Sequence, residues 1–283
     1  MRPFVYLLSL QCDDQGVYSH TTFLYRLNGR RYIMRCTQPD QFVLSSTVPE
    51  VLEELRAKEQ GGSVLPNPGQ VGGLSLSIDE TRAFPKFDLT MTRAPANLGN
   101  DVFVKEMCLL DYVESEEHEK NKQYLLAEAR VYEMMLASDA DGGLNNMDGR
   151  NHICTYRGCV VERRDGVDYI VGLALDKLKE SLKSRCQKPR APLNVKRVVK
   201  EVGQALHYLH GLGYCHNDVS LQNIMVTEED KAVLIDFDAC RPDGAPLTKG
   251  ALLGYKDPEQ TKSSKENDWH GLNEVEKMLR EVF

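Results

Sequence analysis

Residues 213–240 read GYCHNDVSLQNIMVTEEDKAVLIDFDAC. A helix exit at Gly211 and Gly213 leads into a polar turn holding His216, Asn217 and Asp218, then to Asn223 and the apolar run 224–226. The polar run 227–230 predicts a turn, and the aliphatic run 232–235 a second strand that stops at Asp236. Paired as a hairpin, the two strands bring Asn223 and Asp236 to one end of a ribbon, with Asp218 on the loop leading in. An amide oxygen and a carboxylate are hard ligands suited to Mg²⁺, which keeps several waters and takes its other ligands from substrate phosphates. A carboxylate outside that pair is available to accept a proton. Together these are the parts of phosphoryl transfer, a metal held against a polyphosphate and a base that orients the attacking hydroxyl.

Working outward, the chain of 283 residues is long enough for one large domain or two small ones, each with a core. A net charge of -7 argues against a dominant nucleic-acid or membrane-surface role, because both need concentrated positive charge. One stretch departs from that balance. Residues 177–200 hold nine Lys and Arg beside the acid Glu180, which reads as a solvated face or as a dock for an acidic partner. The eight cysteines lack a secreted-domain spacing, so reduced thiols and an intracellular setting, cytoplasmic or nuclear, are expected. His152, Cys154 and Cys159 lack the second Cys pair of a zinc site and read as buried strand residues. The apolar run 4–10 is too short to span a bilayer and has no cleavage signature after it.

Residues 1–45 read as strands, with Asn28-Gly29 as a hairpin turn. Thr47 and Glu50 have capping-box spacing for a short helix to about residue 60, and the Gly- and Pro-rich run 61–73 predicts a linker. Residues 87–92 and 102–107 read as strands about a Pro, Asn and Gly turn. From 119 to 137, Tyr124, Leu125, Val131, Tyr132 and Met135 form a helical stripe, and Glu128 falls inside it. A carboxylate on a buried stripe costs several kcal/mol unless paired, so a cation on the adjacent sheet is expected, and Lys105 lies on the strand upstream. The runs 152–161 and 167–175 predict strands joined at Asp165-Gly166, and Asn194 opens an apolar-faced helix leading to the 213–240 stretch.

Asp218 to Asn223 is five residues and Asn223 to Asp236 is thirteen. In this spacing the sequence resembles the protein-kinase-like superfamily, with its H-R-D-x-x-x-x-N loop and D-F-G metal motif. His-Asn-Asp and Asp-Phe-Asp-x-Cys-Arg are similar to short kinase-like proteins of fungi. Val102-Phe103-Val104-Lys105 resembles the kinase V-A-I-K strand. The resemblance implies an α+β, two-lobed fold with a small β-rich N-lobe (74–176) and a shortened, mostly helical C-lobe (177–283), behind an N-terminal extension (1–73). It implies Asp218 as base, Asn223 and Asp236 as Mg²⁺ ligands, Lys105 on the ATP phosphates and Glu128 positioning Lys105. Leu175 and Asp176 would lie on the nucleotide, with residues 175–178 facing the adenine. Residues 250–259 and 268–272 resemble the end of an activation segment and the start of the next helix. There are departures. Asn217 replaces Arg, Ser220 stands where Ser/Thr kinases carry Lys, Asp238 replaces Gly, and no glycine-rich loop precedes Lys105 at the usual distance. A phosphate lid is then absent or built by residues 94–97. The implied activity is ATP- and Mg-dependent transfer to a hydroxyl acceptor, protein or small molecule, with a nucleotide-binding or scaffolding pseudokinase as the other reading.

Overall fold

The computed structural model describes residues 4–12, 18–27, 30–36, 73–110, 112, 115–140, 148–187, 192–247 and 261–283. The expected Asn28-Gly29 turn, the capped helix ending near 60, the run 61–72 and the segment 250–259 lie outside these residues. The chain divides into two compact units, residues 1–84 with 107–122, and residues 85–106 with 123–283.

The first unit is built on an antiparallel sheet, β1 (Phe4–Cys12), β2 (Tyr18–Leu27), β3 (Arg30–Cys36) and β4 (Gly73–Ser77), ordered as in the chain. Strands β2 and β3 are in register from Thr21↔Cys36 to Leu27↔Arg30, as a hairpin signal at the intervening pair requires. Gly73 opens β4, which pairs with β3, so the chain leaving the glycine-rich run returns to the N-terminal sheet. The short helix α1 (Glu80–Ala83) starts at Asp79, whose carboxylate accepts the Thr81 N–H. Arg31 is buried here because Glu80 meets its guanidinium at 3.2 Å and the Phe84 ring lies 4.8 Å from it.

In the second unit β5 (Val102–Glu106), β6 (Tyr156–Arg164) and β7 (Val167–Asp176) form an antiparallel sheet ordered β5-β7-β6. Asp165 (φ 47°) and Gly166 (φ 80°) make the two-residue turn expected between β6 and β7. Gly172 sets the spacing of the other pair, because a Cβ there would stand 2.6 Å from the Lys105 carbonyl oxygen. Backbone cannot yield as a side chain does. Gly172→Ala is expected to push β5 off β7 at a cost of about 1–3 kcal/mol, read as a lower melting temperature. An unchanged melting temperature would show that this close approach is dispensable.

The strand expected over 87–92 is absent. Asp88 accepts hydrogen bonds from the Thr90 N–H (2.9 Å) and hydroxyl (2.8 Å), closing a local turn that competes with strand pairing. In backbone pairing the segment meets the sheet through single bridges, Lys86↔Tyr169 and Arg93↔Cys159, with an Arg93–Asp168 ion pair beside them, and Leu89 is 90% exposed. The strand expected over 152–161 begins later, at Tyr156, after a 3-10 turn over Asp148–His152. Cys159 lies buried on it, and Cys154 is buried just ahead of it.

Helix α2 (Ser115–Ala140) belongs to the first unit up to Lys122 and to the second from Gln123. Its buried residues include Leu125, Glu128, Ala129, Val131, Tyr132 and Met135, following the 3.6-residue period that the sequence showed, with Glu128 at 0% exposure. Then follow β8 (Glu180–Ser181), α3 (Leu182–Gln187), α4 (Val195–Gly211), β9 (Tyr214–Cys215), β10 (Ile224–Val226), β11 (Ala232–Leu234), β12 (Arg241–Pro242) and α5 (Lys265–Val282). Asn194 caps α4 by accepting the Arg197 N–H at 3.0 Å. Val198, Val202, Leu206 and Leu209 are buried along its inner face, each stabilising the fold by about 1.5–3 kcal/mol. Strands β10 and β11 form the expected hairpin, Ile224 opposite Leu234. Several charges of the basic stretch are met internally. Arg185 is paired with Glu180 and Asp230, Lys179 with Glu228 and Arg197 with Glu201. Among the described residues, no helix is long and apolar enough to cross a membrane.

Candidate active site

Strand β5 alternates, so Phe103 and Lys105 share one face, and Leu175 is directly opposite Phe103 on β7. That face forms one wall of a cavity of about 430 Å³ in the second unit. Leu178, Met225 and Ile235 make its other apolar surfaces, while Lys105, Glu128 and Asp236 gather at a polar part. Asp176 and Lys177 line it where β7 ends. Residues 94–97, the alternative lid, are not among the lining residues.

The polar part is an ion cluster. Lys105 Nζ donates to Glu128 Oε2 at 2.6 Å and to Asp236 Oδ1 at 2.7 Å. Burial alone would lower the lysine pKa, but Glu128, Asp236 and Asp238 outweigh it and hold the ammonium well above its usual range. Burial pushes the Glu128 carboxyl up, with Lys105 pulling it back. Glu128 also accepts the Phe237 N–H at 3.3 Å, tying helix α2 to the turn after β11. Asp236 stands in the left-handed region at φ 67°, a conformation that a non-glycine residue holds only when its surroundings enforce it. The enforcing contacts are visible. Phe237 is fully buried, edge-on to Tyr132 (centroids 5.2 Å) and to His216 (5.0 Å), and Tyr132 stacks on Tyr156 at 5.0 Å. Cys154 completes the cavity lining, and burial holds its thiol at a pKa of about 12, a neutral group.

Asp218 and Asn223 meet each other beside this cluster. Asn223 Nδ2 donates to the Asp218 carbonyl (2.9 Å) and to Asp218 Oδ2 (2.8 Å). The Ile235 N–H donates to the Asn223 carbonyl at 2.9 Å, so the residue before Asp236 is fastened to Asn223. Neither Asp218 nor Asn223 lines the cavity itself.

The loop carrying Asp218 hangs from below. Asp268, fully buried at the start of α5, accepts the His216 N–H at 2.9 Å and the Asn217 N–H at 2.6 Å. His210 Nε2 lies 2.7 Å from the same carboxylate. Asn217, at φ 63°, takes a backbone shape that Asn tolerates better than most residues. Its amide donates to the Cys215 and Ala239 carbonyls and to Ser263 Oγ, and its oxygen accepts from Asn267 Nδ2. Ser220 is fully buried.

Residues 142–267 match the family model described as protein kinase domain. The chain is 42% identical over 53 residues to the serine/threonine-protein kinase PknE of Mycobacterium tuberculosis (19% of this chain, 9% of the relative). It is 30% identical over 122 residues to a probable serine/threonine-protein kinase of Fowlpox virus (41% of each chain). It is 49% identical over 43 residues to the 3-deoxy-D-manno-octulosonic acid kinase of Pasteurella multocida (14% of this chain, 18% of the relative). Residues 142–267 are thus similar to a protein kinase domain, in line with the kinase-named relatives. The stretch shared with these three curated relatives spans between 9% and 41% of their own length. The α+β architecture, a small antiparallel sheet with a helix followed by a mostly helical part, is the kinase-like fold that the motifs implied.

Every site residue singled out from this kinase-like sequence lies in the second unit. Lys105, Glu128, Leu175, Asp176 and Asp236 share the cavity, and Asp218 and Asn223 are joined next to it. Sequence reasoning missed Phe103, Cys154, Met225 and Ile235 as lining residues, and Asp268 as the anchor of the His216-Asn217 turn. A sign of Asp268 was available. A helix-start acid followed by Trp269 is unremarkable alone, but two successive buried N–H groups in an irregular loop must find acceptors somewhere.

Proposed function

We propose that this chain transfers the γ-phosphoryl group of ATP to a hydroxyl acceptor. The supporting observation is Lys105 held between Glu128 and Asp236 on the wall of a cavity whose remaining lining is largely apolar, beside a joined Asp218 and Asn223. In this reading the apolar part takes the base, and the Lys105 ammonium, fully charged, takes the phosphates. Glu128 positions Lys105. Asp218 accepts the proton of the acceptor hydroxyl as its oxygen bonds to phosphorus and the bond from phosphorus to the β–γ bridging oxygen breaks, releasing ADP.

The donor set fits Mg²⁺. Asn223 has committed its amide nitrogen to Asp218, which turns its oxygen, a hard neutral donor, to the other side, and Asp236 offers a hard anionic one. When bound, the ion would neutralise charge on the phosphate oxygens. Asn223 and Asp236 would hold it.

Binding is tested first, because a ligand that binds only the native state raises its melting temperature. Millimolar ATP with Mg²⁺ or Mn²⁺ is expected to shift the transition of the parent. Transfer is then sought with labelled ATP against protein and metabolite pools. No shift with either metal would leave the scaffold reading. Lys105→Met is expected to weaken nucleotide binding more than Glu128→Gln does. Because the two groups touch at 2.6 Å, their double variant should fall short of additivity by about 0.5–3 kcal/mol. Additive losses would show that Glu128 does not act through Lys105.

A second reading, a small-molecule acceptor served by the same residues of this chain, is supported by the similarity to a 3-deoxy-D-manno-octulosonic acid kinase. The metabolite arm of the transfer assay separates it from protein phosphorylation.

A further inference from the structure

His210 near the end of α4, Cys215 on β9 and Asp268 in the first turn of α5 come together behind the turn that leads to Asp218. A ring nitrogen, a thiol sulfur and a carboxylate oxygen from these three lie within 4.8 Å of one another, and all three side chains are buried. Tetrahedral zinc sites hold such atoms roughly 3.3–3.6 Å apart, given bonds of about 2.0 Å to nitrogen or oxygen and 2.3 Å to sulfur. His210 Nε2 and Asp268 Oδ2 are 2.7 Å apart, so a bound ion asks this pair to open by about 0.6 Å.

The sulfur is the informative member. A buried carboxylate against an imidazole is accounted for by the loop that it holds, but a thiol is a weak hydrogen-bonding group and adds little to that task. As a thiolate it is a strong ligand for zinc. Asp268 can serve both ends. It accepts the His216 and Asn217 N–H groups, and a carboxylate has about four lone-pair sites, so the one now facing the His210 ring can turn to a metal while both backbone bonds stay. Cys240, buried just ahead of β12, stands within reach of the charges of Asp268 and Cys215, which add to burial in raising its thiol pKa. Burial and then the Asp268 charge hold the Cys215 thiol at about 12, so without an ion it is protonated. Ligation releases both thiol protons, and the imidazole binds as the neutral ring through Nε2 with its proton on Nδ1. Loss of two protons offsets the arrival of a divalent ion, so the buried group gains no net charge.

We propose that His210, Cys215 and Asp268, with Cys240 as the fourth ligand, bind Zn²⁺ as a structural ion that fastens α4, β9 and α5 behind the Asp218 loop. Thiolates select zinc, whereas Mg²⁺ takes oxygen ligands, so this site is chemically unlike the Asn223 and Asp236 pair. It stands or falls without the phosphoryl-transfer reading.

Co²⁺ is the probe, because it replaces Zn²⁺ in such sites and its bonds to thiolate absorb in the near ultraviolet. Protein produced in medium supplemented with Co²⁺ and then dialysed is expected to hold close to a single ion per chain and to show that band. Millimolar Mg²⁺ should not displace it. Cys215→Ser and His210→Ala should each lose most of the ion, and Cys240→Ser should keep roughly half of the band, as one thiolate of two remains. Protein with Cys108→Ser and Cys186→Ser together, the more accessible thiols among the described residues, should keep ion and band. Zn²⁺ at about a hundredfold over its Kd should raise the melting temperature of chelator-treated parent by roughly 5–10 °C and leave that of Cys215→Ser unchanged. A parent without the thiolate band overturns the proposal, whether or not the variants fold. So does a band that stays at full strength in Cys215→Ser or Cys240→Ser, that goes with Cys108 and Cys186, or that Mg²⁺ removes.

Discussion

Asp218→Asn is expected to lower phosphoryl transfer by roughly 10²–10⁴-fold while Mg·ATP binding stays within about threefold of the parent. The asymmetry comes from the geometry. Asp218 lies outside the cavity lining, and its carboxylate oxygen accepts from Asn223 Nδ2 at 2.8 Å, a bond that an amide oxygen can also accept. The variant therefore keeps the shape and loses only the proton acceptor. Asp236→Ala should behave otherwise. It removes the proposed anionic metal donor and one of the two carboxylates bonded to Lys105, so most metal-dependent affinity should go with it. Transfer that survived Asp218→Asn at the parental rate would belong to a contaminant or to other residues. A parent that bound nucleotide but transferred to no acceptor would favour the pseudokinase, with Ser220→Lys and Asp238→Gly as the first reversions to make.

Asp268→Ala is expected to cost about 3–5 kcal/mol of stability, a fall in melting temperature of roughly 10 °C. Its carboxylate is fully buried and satisfies two backbone N–H groups and lies against an imidazole, none of which would find water in its absence. Asp268→Asn should cost less, since one oxygen remains, though its amide hydrogens would face donors. The loss should fall partly on function, because His216 and Asn217 immediately precede Asp218. Thermal denaturation of the two variants checks this, and a loss under about 1 kcal/mol for Asp268→Ala would mean that the loop is held by other contacts. Asn217 supplies those other contacts in part. Its amide reaches Ala239, just past Asp236-Phe237-Asp238, and Ser263, in the described stretch that resumes after residue 260.

The elements that sequence displayed best are those whose determinants are local. The β10–β11 hairpin shows two aliphatic runs about a polar turn, the Asp165-Gly166 turn shows its left-handed pair, and helix α4 shows its cap and its apolar period. Each is specified by residues within a few positions of one another. The failure over residues 87–92 was local too. Apolar and β-branched residues favoured a strand, and the Asp88 side chain overrode them by bonding two residues ahead.

Read alone, the sequence determined the spacing of Asp218, Asn223 and Asp236 and the demand that Glu128 find a cation, because both follow from residue order and from the cost of an unpaired buried charge. Only the tertiary structure decided what met those demands. Lys105 and Asp236 are 131 residues apart, and that they join at 2.7 Å depends on how β5, α2 and the β10–β11 hairpin pack. The burial of Asp268 under His216 and Asn217, and the placing of Phe103 on the cavity wall, are likewise relations between distant segments. No periodicity or local pairing rule encodes them, since they are satisfied only when a whole core closes around groups that cannot be left without partners.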